Sequence, residues 1–355
     1  MSQAAPAMTI ISPWKDFWFL FASSFVVLLA WFASSVLHVP GFVILAIVGV
    51  ISNGPHLIST WTRVYFDSRE WRARPVATVV LPVVILAAVF VLMVKVPSGA
   101  RIANSVILYW ASWHFVAQNW GILRIYQRKS GEPMGTWVMK LERPVLLLTA
   151  LFCLLHRLST GPRTLFGAEV YALPIPRAAI LALLAPLGLM TAAILFKRLA
   201  DRRQPWARAA WLRVAFIGCS FLGFFVPFQL ILSDDTTAFA AAACWHGFQY
   251  LGMVRHYHRN AWRAGVDARA PLISWLAQPG WSRAALYMGL LWFMAGLVYA
   301  VIGLLSLVAY DLNTWMGVVW VGLTLSHYWI DGVIWKLRRP ELASRVGIAD
   351  AAATA

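Results

Sequence analysis

A chain of 355 residues that is 61% hydrophobic and only 12% charged lies outside the range of soluble globular proteins, where roughly 45–50% of residues are apolar and about 25% charged. Its formal net charge of +16 raises nucleic-acid binding, which the placement of those charges argues against. A helix needs about 20 apolar residues, at 1.5 Å rise each, to cross a ~30 Å hydrocarbon core.

Ten such segments are predicted along the chain. The first, 17–37, shows no clear cleavage site and reads as a span, not a signal peptide. The second, 41–62, carries SNGPHLISTWTR, in which Pro55 is expected to kink the helix and free carbonyls of the preceding turn. The third is 76–96 and the fourth, 102–123, holds SWHFVAQNWGILR. The fifth, 143–157, is short and contains Cys153 and His156. The sixth and seventh are 178–197 and 212–233; the eighth, 236–255, holds CWHGFQYLGMVR. SWLAQPGWSR at 274–283 is expected to lie along the interface. The ninth and tenth are 284–308 and 314–335, the last containing SHYWIDGVIWK. Cys153, Cys219 and Cys244 lack metal-type spacing and read as small packing residues.

Assigning the connections alternately to two sides puts 25 of the 30 Lys and Arg on one side. The other side has only Lys95, Arg101, Arg157, Arg163 and Arg177. Positive charge marks the cytoplasmic face, so both termini are expected in the cytoplasm. The expectation is therefore a single all-α polytopic transmembrane domain over 1–355, integral to a bacterial inner membrane and binding no nucleic acid.

Polar residues inside the spans carry the functional signal. His56, His114, His246 and His327 lie on spans 2, 4, 8 and 10, and precede the basic residue at the inner end by 7, 10, 9 and 9 residues. All four are thus about 10–15 Å from the cytoplasmic edge. Each has a polar companion about a turn further on: Thr60; Gln118 with Asn119; Gln249 and Tyr250; and Asp331. Positions i+3 and i+4 share a helix face, and such a face must meet protein or water, not lipid. Asp331 is the one carboxylate expected deep in a span, where it needs a histidine, an arginine or a metal as partner.

A lone intramembrane histidine is usually a helix-to-helix contact; four at one depth favour a bound metal. Imidazoles with a nearby carboxylate and no thiolate suit non-haem iron best, then copper and zinc. His56, His114, His246 and His327 are the expected ligands, and Asp331 a fifth ligand or the group that orients His327. Gln118, Gln249 and Tyr250 are expected to bond the imidazole N–H groups and fix their tautomers. Gly54, Gly121, Gly247 and Gly332 permit either close helix approach or room for a ligand. His256 and His258 are expected to be solvated at the inner mouth of span 8, and His38 and His156 structural.

SNGPHLIST and WHFVAQNWG resemble the first two histidine motifs of the Brp/Blh-like β-carotene 15,15'-dioxygenases. That resemblance implies a polytopic membrane protein that holds iron with four histidines, His56, His114 and His246 among them. Leu57 stands where that family has glycine, Gln118 and Asn119 replace an acidic residue, and Tyr250 stands where a second histidine would follow His246. The resemblance therefore supports an intramembrane histidine-metal site more than carotenoid cleavage itself. The expected function is a metal-dependent membrane oxygenase acting on a lipid or isoprenoid, with an electron donor as a further partner. Haem-based electron transfer through two axial histidines and proton-coupled transport through the His/Asp331 cluster are the alternatives.

Overall fold

The computed structural model describes residues 8–161 and 163–348, and among these it is all-α apart from a two-stranded hairpin, Thr164–Leu165 with Ala168–Glu169. Each predicted span coincides with a long helical run. These are α1 (Pro13–Val36), α2 (Gly41–Val64), α3 (Val76–Lys95), α4 (Gly99–Lys129) and α5 (Trp137–Thr160). They continue with α6 (Arg177–Ala200), α7 (Ala207–Leu230), α8 (Asp235–Ala261), α9 (Trp281–Val308) and α10 (Leu312–Ile334). The expected positions of both termini lie outside the described residues.

Among the described residues, α1, α2, α3, α6, α7 and α9 are long and apolar enough to cross a membrane. Only 11% of the most apolar stretch of α3 and 17% of those of α6 and α9 are buried inside the protein, so their aliphatic faces point outward. Phe196 and Leu307 on these helices are largely exposed, an arrangement that suits lipid and not water. The remaining long helices, α4, α5, α8 and α10, are the more polar ones. α8 is the central helix and is buried at nearly every position from Asp235 to Val254. Its Ala240–Ala243 run lets neighbours approach closely, and it starts where Asp234 caps it by accepting the Thr237 N–H at 2.6 Å.

The two ends of the bundle are fastened by separate polar contacts. At one end Asp16 accepts the N–H groups of Ile10 and Ile11 and the Tyr126 hydroxyl, Arg69 pairs with Asp267, and Arg345 pairs with Glu70. At the other, Arg157 pairs with Asp235 at 2.6 Å, and Asp235 also accepts the Thr164 N–H of the hairpin.

Two of the basic residues assigned to the inner connections are not solvated. Arg198 and Arg213 are buried, and both pair with Glu132 and Glu142. Gln127 donates to the other oxygen of Glu142 at 2.6 Å, so five side chains lock α4, α5, α6 and α7 together. The 274–283 segment overlaps at residues 274–277 a short helix, Pro271–Ala277, that buries Ile273 and Leu276 against Trp262 and Leu251, so it is partly core and not a purely interfacial strip.

Candidate metal centre

Local sequence sets up the convergence of α2, α4, α8 and α10. In α2 the α-helical path is interrupted by a π-helical turn, Gly49–Asn53, immediately before Gly54 and Pro55. Proline cannot donate to the preceding turn, and one wide turn there redirects His56. Gly54 sits against Ala295, where an added Cβ would approach the Ala295 Cβ to 3.1 Å. Gly247, next to His246, presses on Ser52, whose side chain would collide with any Cβ at that position. Ser52 also donates to the Cys244 carbonyl at 3.1 Å, which fixes α2 against α8 at the level of the two histidines.

His56, His114, His246 and His327 are all buried, and one ring nitrogen of each lies within 4.8 Å of the corresponding nitrogen of every other. Their rings close a square. His56 and His114 occupy opposite corners, each edge to face with both His246 and His327, at centroid separations of 4.4–5.0 Å and interplanar angles of 67–74°. The Nε2 atoms of His56 and His327 are 2.8 Å apart. Nδ1 of His56, Nε2 of His114 and both ring nitrogens of His246 are buried with no hydrogen-bond partner. Phe115 covers His246 at 4.4 Å and Tyr328 stacks on His114 at 4.4 Å, so water has little access to the square.

Asp331 faces this square. Its Oδ2 is 3.9 Å from Nε2 of His114 and 3.8 Å from Nε2 of His327. Its Oδ1 accepts the Tyr250 hydroxyl at 2.6 Å, with Thr60 a longer contact at 3.4 Å. Asp331 therefore does not orient His327 by a direct hydrogen bond. Thr60 does that, 2.8 Å from Nδ1 of His327 and 2.7 Å from the Tyr250 hydroxyl. Trp335 donates its indole N–H to the same hydroxyl at 3.2 Å. Spacing marks Thr60 only as a companion of His56 and does not mark Trp335 as part of the site. Nothing in a linear pattern shows a contact that crosses from α2 to α10.

Gln118, Gln249 and Tyr250 do not bond the imidazoles as expected. Gln118 donates to the His246 backbone carbonyl and to the Gln249 side chain. Gln249 in turn donates to the Leu20 carbonyl and to Asn119. The amides thus tie α1, α4 and α8 together beneath the histidines, because their short side chains reach backbone carbonyls before they reach a ring nitrogen. Tyr250 meets His56 only ring to ring, at 4.7 Å.

His258 is a second correction. It is fully buried, stacked on Trp262 at 5.2 Å and within 3.2 Å of the Thr62 hydroxyl. His256 is half-buried against Asn260. His156 bonds Gln229 at 2.6 Å, in keeping with a structural role.

A groove of about 420 Å³ lies between α4 and α10 and reaches the square at His114 and Asp331. Its walls are mostly aromatic and aliphatic, with Trp113 and Trp329 exposed at its rim. Gly121 and Gly332 line it from opposite helices, and a Cβ at either would meet nothing within 4 Å. The four motif glycines therefore divide, Gly54 and Gly247 serving close approach and Gly121 and Gly332 leaving open space.

The donor set fits a transition-metal ion. Metal–imidazole bonds of ~2.0–2.1 Å place ligand nitrogens about 3–4 Å apart, which nitrogens that all lie within 4.8 Å of one another reach by small side-chain adjustments. A metal would also satisfy buried nitrogens that nothing in the protein satisfies. No protein-family model matches this chain, and neither a curated protein nor a solved structure shows significant similarity to it.

Proposed function

We propose that this is a polytopic membrane protein of about ten spans with both termini in the cytoplasm, and a metal-dependent oxygenase acting on a hydrophobic lipid or isoprenoid. The observation that carries the proposal is one square of buried, partly orphaned imidazoles opening onto an apolar groove. His56, His114, His246 and His327 hold the ion, with iron the first choice and copper or zinc next. The two motifs that resemble the β-carotene dioxygenases point to iron as well.

Bound iron would supply one-electron chemistry towards dioxygen. The protein's own part is positioning and exclusion of water. Tyr250 and Thr60 hold Oδ1 of Asp331, which leaves Oδ2 directed at His114 and His327 and available as a fifth ligand or as a proton acceptor at that atom. Phe115 and Tyr328 exclude water from two sides of the square. An apolar substrate enters from the bilayer past Trp113 and Trp329, and an electron donor approaches from the cytoplasmic end.

Haem finds no support, because a porphyrin needs a clear plane between two axial imidazoles and two further imidazoles fill that plane. One observation favours a second reading, proton-coupled transport: polar contacts run without a break from His56 through His327 and Thr60 to Tyr250 and Asp331. His246 stands outside that chain with both nitrogens free, which favours the metal.

Elemental analysis and an absorption spectrum of detergent-purified protein test the reading, beside His114→Ala and His246→Ala. Near-stoichiometric iron, copper or zinc without a porphyrin band, lost in both variants, is expected. Absence of metal from the wild type after attempted reconstitution would leave transport as the better account.

A further inference from the structure

The groove is built for more than access to the histidines. At about 420 Å³ the groove has the size of a pocket that takes one small apolar ligand. Gly121 and Gly332 have no packing neighbour that would exclude a side chain, so nothing internal accounts for the space they leave. Lys336 is exposed and is the one Lys or Arg among the described residues lining the groove. Nearby acids are already paired: Glu70 with Arg74 and Arg345, and Glu341 with Arg345. A cation with no ion-pair partner among the described residues thus lines an apolar groove that also reaches His114 and Asp331.

We propose that the groove binds a single-chain amphiphile with a carboxylate head. The head pairs with Lys336, and the chain runs over Gly332 and Gly121 past Asp331 and His114. This gives a substrate class to the oxygenase reading above and rests on it for its meaning. Asp331 and His327 precede the end of α10 at Ile334 by three and seven residues, about 4.5 and 10.5 Å of helix, and two non-helical residues of up to ~3.3 Å each then lead to Lys336, for a reach of roughly 8–17 Å. Carbon–carbon bonds of ~1.5 Å zigzag to roughly 1.3 Å of advance per carbon. Carbons about six to thirteen from the head therefore lie against the square.

The test is equilibrium binding of labelled hexadecanoate to the full-length, detergent-purified protein after chelator treatment, beside its methyl ester. Wild type should bind the carboxylate saturably, one per chain, and the ester about tenfold more weakly. Lys336→Gln should weaken the carboxylate about tenfold and leave the ester unchanged. Gly332→Leu, whose Cβ meets nothing within 4 Å and whose side chain takes up groove space, should abolish both while the thermal unfolding profile stays that of the wild type. Equal affinity for ester and carboxylate, or an unaltered carboxylate affinity in Lys336→Gln, would overturn the proposal in favour of a neutral, isoprenoid-like occupant. Lack of saturable binding by folded protein would overturn it as well. The protein is metal-free in this assay, so a failure of the metal reading and a failure of this one are separate results.

Discussion

Replacing His246 with leucine should change the order of stability according to whether metal is present. Both ring nitrogens of His246 are buried without a partner. An unsatisfied buried polar group costs about 1–3 kcal/mol, and a neutral imidazole carries one donor and one acceptor. At the low end of that range the pair costs about 2 kcal/mol in the metal-free protein. Leucine removes both atoms at similar volume, so under chelator His246→Leu should be more stable than wild type by about 2 kcal/mol. That corresponds to several degrees in melting temperature. Metal at a thousand times its dissociation constant adds about 4.1 kcal/mol to a protein that binds it only when folded. Wild type should then lead the variant by about 2 kcal/mol, since 4.1 less 2 is close to 2. Thermal unfolding in detergent, followed by tryptophan fluorescence with chelator and with anaerobic ferrous iron, reads both cases. If wild type is the more stable under chelator, or if metal stabilises the two proteins equally, the orphaned nitrogens are not ligands and the reasoning fails.

Tyr250→Phe removes the 2.6 Å donor to Asp331 and a partner of Thr60, and should weaken metal binding tenfold to a hundredfold in a metal titration while the fold is kept. Glu142→Gln takes the charge from the carboxylate that bonds Arg198 and Arg213, which should cost about 3–5 kcal/mol. Its readout is a lower yield and melting temperature, with metal per folded molecule unchanged because the network does not contact the histidines. Ser282→Cys should react with an impermeant thiol reagent from the cytoplasmic side only, and Thr164→Cys from the opposite side only; labelling of both from one side would break the ten-span arrangement.

The sequence alone marked the helices and the shared axial level of the histidines. Each predicted span matches one helical run to within a few residues, because a long apolar segment fixes the element whatever its neighbours. A constant rise per residue converts 7, 10, 9 and 9 positions into one shared depth, so the square was legible in its axial coordinate. Asp331 as the deep carboxylate was legible for the same reason.

Lateral placement was not. Which helices touch depends on how side chains interlock, as where Gly247 receives Ser52, and no periodicity encodes that contact. The structure therefore decided that Thr60 and not Asp331 holds His327, and that Gln118 and Gln249 hold each other and backbone carbonyls instead of imidazoles. It also buried His258, and it paired Arg198 and Arg213 with acids that lie 56 to 81 residues away in the chain. The groove is of the same kind. Gly121 and Gly332 read as either packing or space until α4 and α10 are set side by side, since a cavity belongs to two surfaces at once and to neither sequence segment alone.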